Sequence, residues 1–280
     1  MKNVFVFGLI FNFSVAAYSQ NINYEVCALR FASVEPSFPL SSFVLGASDK
    51  DSMRGVFMFW LIKGSNGRNI LVDAGFLKNV EDAQSFDLKN YVRPDSVLTR
   101  MGLRAEDITD VILTHPHWDH VDGIGLFPNA QVWIQKEDYC YFVGAAWQKD
   151  GRGGFNKRDV RELLELNLAG KLTLVDGDNK EIIPGIIVYT GSRHTFNSQY
   201  VLVKSGSDKI ILASDNVYTY YNLEHLRSAP NYATFDTTGY IRSMERMKTL
   251  ASNIRFIIPG HDALLFSKFP TIAEGVIKIK

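Results

Sequence analysis

Cysteine is scarce in this chain. Cys27 and Cys140 are the only two among 280 residues, too few for a disulfide framework and not spaced as a zinc finger. An excess of one charge is missing too. Thirty Lys and Arg balance thirty Asp and Glu, which argues against a basic nucleic-acid binder and against an acidic disordered tail. Internal repeats, low-complexity tracts and Pro/Ser/Gly linkers are absent, so residues 21–280 read as one domain. Past the first nineteen residues no stretch is long and apolar enough to span a bilayer.

Residues 1–19 combine a basic Lys2, an apolar run from Val4 to Phe13, and small residues in Ala17-Tyr18-Ser19. That order is the pattern of a secretory signal peptide. The run is about half of the roughly twenty residues that a spanning helix needs. The expectation is an exported protein, periplasmic or secreted, with no stable membrane anchor and cleaved near Gln20. Mass spectrometry of native protein should find its N-terminus there. Protein recovered from the cytoplasm with Met1 intact would overturn the export.

Short β-rich runs recur at 24–31, 56–62, 69–72, 110–114, 131–134, 186–190, 200–203, 209–213 and 255–258. Several are continuous apolar runs, as strands in a buried sheet require. Helical patterns lie between them at 94–102, 136–146, 157–168 and 237–251. This alternation predicts an α/β (α+β) fold of two mixed sheets packed face to face with helices outside. Residues 144–155 break every period and read as a surface loop. Trp147 and Phe155 within it suit a movable apolar wall over a site.

Only six histidines are present, and their placement is informative. Residues 114–120 read THPHWDH, directly after the apolar Val111-Ile112-Leu113. His115, His117, Asp119 and His120 thus fall together at a strand end, where loop side chains converge on one point. Pro116 disfavours a helix here. The loop is expected to send His115 and His117 to one metal, and Asp119 and His120 to another. Three further residues of ligand type follow apolar runs: His194 in TGSRH, Asp215 in IILASD and His261 in FIIPGH. His225, in YNLEHL, reads as structural or exposed. Two cations about 3.5–4 Å apart can share a water, lower its pKa toward roughly 7, and polarise a carbonyl. The all N and O donor set suits zinc and also admits Fe, Mn or Co. Two divalent ions, zinc by default, are therefore the expected cofactor.

These motifs resemble the metallo-β-lactamase superfamily over essentially the whole chain after residue 20. Leu71-Val72-Asp73-Ala74-Gly75 is similar to its early D-[TA]-G element, and THPHWDH to its H-x-H-x-D-H motif. The resemblance implies an αββα sandwich with a dinuclear site at one edge. It implies that His115, His117 and His194 hold one metal, that Asp119, His120 and His261 hold the other, and that Asp215 bridges them. Asp73 would support the metal loop. A metal-bridging hydroxide would be the nucleophile, with Asp119 orienting it and carrying a proton.

Asp215-Asn216-Val217-Tyr218 narrows the resemblance to the N-acyl-homoserine lactonases, whose Tyr three residues after the bridging Asp reaches the substrate carbonyl. A phenol there can donate to a developing oxyanion. Asp119 and Tyr218 are thus the expected catalytic pair, and a small-molecule lactone the expected partner. One departure is Ser192-Arg193-His194-Thr195-Phe196, where the lactonases often carry G-H-[TS]-x-G-H. Arg193 at such a place suits a substrate carboxylate or phosphate. The alternatives are another hydrolase of this fold (a β-lactamase, thioesterase or phosphoester hydrolase) or a metal-scavenging protein.

Overall fold

The computed structural model describes residues 22–148 and 153–280. The expected signal peptide, residues 1–19, lies outside the described residues, as do residues 149–152 of the expected loop. No helix among the described residues is long and apolar enough to cross a membrane.

Two large sheets form. The first runs Thr271–Ala273, Val276–Lys278, Tyr24–Val34, Val56–Gly64, Asn69–Val72, Asp110–Ile112, Gln131–Gln135, Leu172–Val175. Its early pairs are antiparallel, whereas Asn69–Val72, Asp110–Ile112, Gln131–Gln135 and Leu172–Val175 are parallel neighbours. The second runs Lys180–Ile183, Ile186–Thr190, Gln199–Ser205, Asp208–Ser214, Ile257–Pro259, with only the last pair parallel.

Alternation along each strand explains the layering, because successive side chains leave opposite faces. In Val56–Gly64 the residues Met58, Trp60 and Ile62 face Val188, Val201, Ile210 and Leu212 of the second sheet. Phe57, Phe59 and Leu61 face the other way, onto Val97, Phe142 and Leu163 of the helices Pro94–Leu98, Lys136–Val143 and Lys157–Leu168. The second sheet turns Ile187, Tyr200, Leu202 and Ile211 outward onto Tyr240, Met244 and Met247 of the helix Thr237–Leu250. Helix, sheet, sheet and helix therefore stack in four layers. Each fully buried Leu, Ile, Val or Phe contributes about 1.5–3 kcal/mol of transfer free energy.

Two local expectations are corrected. The run 255–258 is a 3-10 turn, Ile254–Phe256, and only then a strand, Ile257–Pro259. Asn253 causes this, since its side chain accepts from the Arg255 amide at 3.0 Å and caps a turn. Pro116 also fails to keep the whole motif non-helical. It precedes His117, which is extended and caps a one-turn helix, Trp118–Val121. A proline before the cap costs that helix no hydrogen bond, so Asp119 and His120 sit in helical geometry.

Candidate metal centre

The parallel strands bring the site together. Asn69–Val72 and Asp110–Ile112 run side by side in the first sheet, and Asp208–Ser214 and Ile257–Pro259 do so in the second. Their C-terminal ends open at one edge and deliver Asp73, His115, Asp215 and His261. Gly260 must lack a side chain, because a Cβ there would lie 2.6 Å from Asp215 Oδ1 and 2.8 Å from the Ser214 carbonyl carbon.

Asp73 is fully buried in the left-handed region, with φ 65°. Its Oδ1 accepts from the Thr114 amide at 2.8 Å and its Oδ2 lies 2.8 Å from His120 Nδ1. The carboxylate thus orients His120 and aims Nε2 into the site. Every other histidine of the cluster except His117 is held the same way. His115 Nδ1 meets Thr114 Oγ1 at 2.9 Å, His194 Nδ1 meets the Ala233 carbonyl at 2.7 Å, and His261 Nδ1 meets the Val56 carbonyl at 3.0 Å. A carbonyl only accepts, so a neutral His194 or His261 carries its proton on Nδ1 and presents a lone pair at Nε2.

Donor atoms gather in three groups, each within 4.8 Å: His115, His117 and His194; Asp119, His120 and His261; and His115, His120 and Asp215. Asp215 stands between the first two groups. Its Oδ2 lies 3.3 Å from His194 Nε2 and 3.8 Å from His115 Nε2, and its Oδ1 lies 2.9 Å from His261 Nε2 and 3.5 Å from His120 Nε2. His115 Nε2, His120 Nε2 and Asp215 Oδ1 are buried with no hydrogen-bonded partner; the close approach of His261 to Asp215 lacks hydrogen-bond geometry. Three orphaned polar atoms at one point are costly unless something binds them. Neutral imidazoles and carboxylates in this array fit divalent cations.

Charge divides the cluster. Burial pushes His115 well below the ordinary imidazole range, pushes His117 down to about 3, and lowers His194. Burial opposes charge on His120 and His261 as well, but Asp119 and Asp215 outweigh it and raise both. Those are protons that a bound cation displaces. The Tyr218 phenol is driven well above its usual value by burial and by the Asp215 charge, and stays protonated.

A cavity of about 260 Å³ opens over this edge. His117, Asp119, His194, Asp215, His261 and Tyr218 form its polar end, while Phe38, Phe43, Phe57, Phe86 and Trp118 form an apolar wall. The sequence pattern of the Metallo-beta-lactamase superfamily matches residues 58–261. The chain belongs to that superfamily. An N-acyl homoserine lactonase of Bacillus cereus is 27% identical over 169 residues, which are 60% of this chain and 61% of that relative. The chain thus spans less than two thirds of the length of this relative. Among solved structures, a Bacillus thuringiensis AiiA mutant with N-decanoyl-L-homoserine at its active site superposes with a TM-score of 0.70 at 21% identity, over 89% of this chain and 97% of that one. AidC, a dizinc quorum-quenching lactonase in complex with a product, superposes with a TM-score of 0.58 at 19% identity, over 81% and 83%.

Within this metallo-β-lactamase fold all seven expected ligand residues and Tyr218 converge. Two residues that suited the site by type lie elsewhere. Arg193 is exposed and turned away from the cavity: its Nε donates to the Phe196 carbonyl at 3.2 Å, and its guanidinium lies over the Phe196 and Phe235 rings at 5.3 and 5.6 Å. Its backbone is in the left-handed region, with φ 55°. Trp147 is outside the cavity lining too, because its indole nitrogen donates to the Phe142 carbonyl and its ring packs on the helix layer. The end of that loop does reach the site. Gly154 lines the cavity, and Phe155 packs 5.2 Å from the His117 ring. His225 is exposed and packs on Tyr221 at 4.1 Å, as expected.

Sequence reasoning missed the wall residues Phe38, Phe43, Phe86 and Tyr232, and no local signal marks them. It also missed Thr114 and Ser214, whose hydroxyls bond each other at 3.0 Å and both contact Asp73. Each directly neighbours a ligand residue, the one signal that pointed to them.

Proposed function

We propose that this protein is a dinuclear metal-dependent hydrolase that opens the lactone ring of N-acyl homoserine lactones. The observation that carries the reading is the place of Tyr218. Its hydroxyl is 3.2 Å from His194 Nδ1, the same nitrogen that meets the Ala233 carbonyl at 2.7 Å. That nitrogen carries a proton for the carbonyl, so it cannot accept from the phenol. The Tyr218 proton is left free to point into the cavity, toward a substrate oxygen.

In this reading His115, His117 and His194 would hold one cation and Asp119, His120 and His261 the second, with Asp215 available to both. Two bound zinc ions would supply an activated water and polarise the ester carbonyl. Tyr218 donates to the carbonyl oxygen as negative charge gathers there. Asp119, 3.3 Å from His120 Nε2 and 3.5 Å from His261 Nε2, carries the proton to the departing alkoxide. The aromatic wall excludes water and takes the acyl chain. The names of the relatives support this substrate.

A hydrolysis panel of lactones, β-lactams, thioesters and phosphodiesters tests it with metal-loaded protein. Homoserine lactones should turn over with release of one proton, and the hydroxy-acid product should close again on acidification. Inert lactones beside an active β-lactam, thioester or phosphodiester would refute the lactonase reading. No turnover with any of them, with metal bound, would favour scavenging.

A further inference from the structure

Three rings pack on the Tyr218 ring among the described residues. His194 lies 5.4 Å away edge-on, His261 lies 5.9 Å away tilted, and Phe43 lies 5.4 Å away at 74°. The two imidazoles belong to the candidate metal ligands. Phe43 does not, and it comes from a segment that precedes the superfamily match at residue 58.

That segment is pinned from the far end of the chain. Asn222 Nδ2 donates to the Phe43 carbonyl at 3.0 Å, Tyr232 Oη to the Ser42 carbonyl at 2.6 Å, and Arg227 Nη1 to the Gly46 carbonyl at 2.6 Å. The Leu45 amide donates to the Ser228 carbonyl at 2.8 Å. Asn222 is itself anchored beside Tyr218, because its Oδ1 accepts from the Thr219 amide at 3.0 Å and the Thr219 hydroxyl at 2.7 Å. The chain leaving Tyr218 therefore fixes the backbone of the ring that leans on Tyr218.

We infer that Phe43 is a positioning residue for Tyr218, holding the phenol over the reacting carbonyl through an edge-to-face contact clamped by Asn222. This rests on the donor role proposed above for Tyr218. Such a contact pre-sets one orientation of the phenol, so removing it lowers the fraction of bound substrate that meets the hydroxyl in line. Because Phe43 also lines the cavity, its loss raises KM independently of that effect.

A double-mutant cycle separates the two. Phe43→Ala should lower kcat about two- to tenfold with metal content intact, and Phe43→Tyr, which keeps the ring, should restore it. In a Tyr218→Phe background Phe43→Ala should leave kcat unchanged and still raise KM. Ring-labelled tyrosine should show the Tyr218 resonances moving in Phe43→Ala without any turnover. Should Phe43→Ala lose its fold or metal, Phe43→Leu serves in the same cycle, since it keeps an apolar side chain of similar bulk and loses the ring that meets Tyr218. An equal kcat loss in both backgrounds, no loss in either, or unmoved resonances would overturn the inference. Wild-type kcat in Tyr218→Phe alone would instead refute the donor, a separate failure.

Discussion

Tyr218→Phe should leave two metal ions per chain and reduce kcat/KM by about ten- to a thousandfold, the upper part being what one oxyanion donor is typically worth. The substitution keeps the ring, and with it the packing against Phe43, His194 and His261. Only the hydroxyl goes. It faces Nδ1 of His194, while Nε2 is the atom offered to a cation, so ligand geometry is preserved. The loss should fall mainly on kcat, because the donor meets full negative charge only in the transition state. Elemental analysis beside steady-state kinetics on one lactone checks both halves. Wild-type rates with full metal would mean that the metals alone hold the oxyanion.

Asp215→Asn should cut metal occupancy from two ions toward one and lower kcat/KM about a hundredfold or more, since even residues outside the ligand sphere cost ten- to a hundredfold in affinity or activity. Each carboxylate oxygen faces one histidine pair, Oδ2 toward His115 and His194, and Oδ1 toward His120 and His261. An amide keeps one acceptor and turns a donor toward the other pair. It also removes the negative charge that screens two cations from each other. Circular dichroism should show the fold retained while elemental analysis shows the missing ion. A variant holding two ions would sink the bridging role of Asp215, and a wild-type chain fully active with one ion would sink the dinuclear mechanism.

The ligand residues were legible because chemistry restricts them to few residue types and topology restricts them to strand ends. His115, Asp215 and His261 each follow an apolar run closely, as does the supporting Asp73, so a local reading finds them. Asp119 and His120 were legible as ligands but not as helical. The turn Trp118–Val121 depends on the Val121 and Asp122 amides reaching back to the His117 and Trp118 carbonyls, which stops short of Pro116. Arg193 shows the limit of local reasoning from the other side. One position before a candidate ligand, it suited a substrate anion by type, and its guanidinium lies over Phe196 and Phe235 instead.

The donor set at the polar end of the cavity, and the layers that carry it, were readable from residue types and periods alone. Imidazole and carboxylate are scarce, their spacing is local, and the strand periods that place them are short-ranged. The apolar wall, the clamp on Phe43 and the proposed direction of the Tyr218 proton come from packing across the fold. Any of nineteen phenylalanines suits an apolar wall by type, and what selects Phe38, Phe43 and Phe86 is packing between segments far apart in the chain. The donor role proposed for Tyr218 likewise depends on the Ala233 carbonyl holding His194, a hydrogen bond across 39 positions that no local pattern encodes.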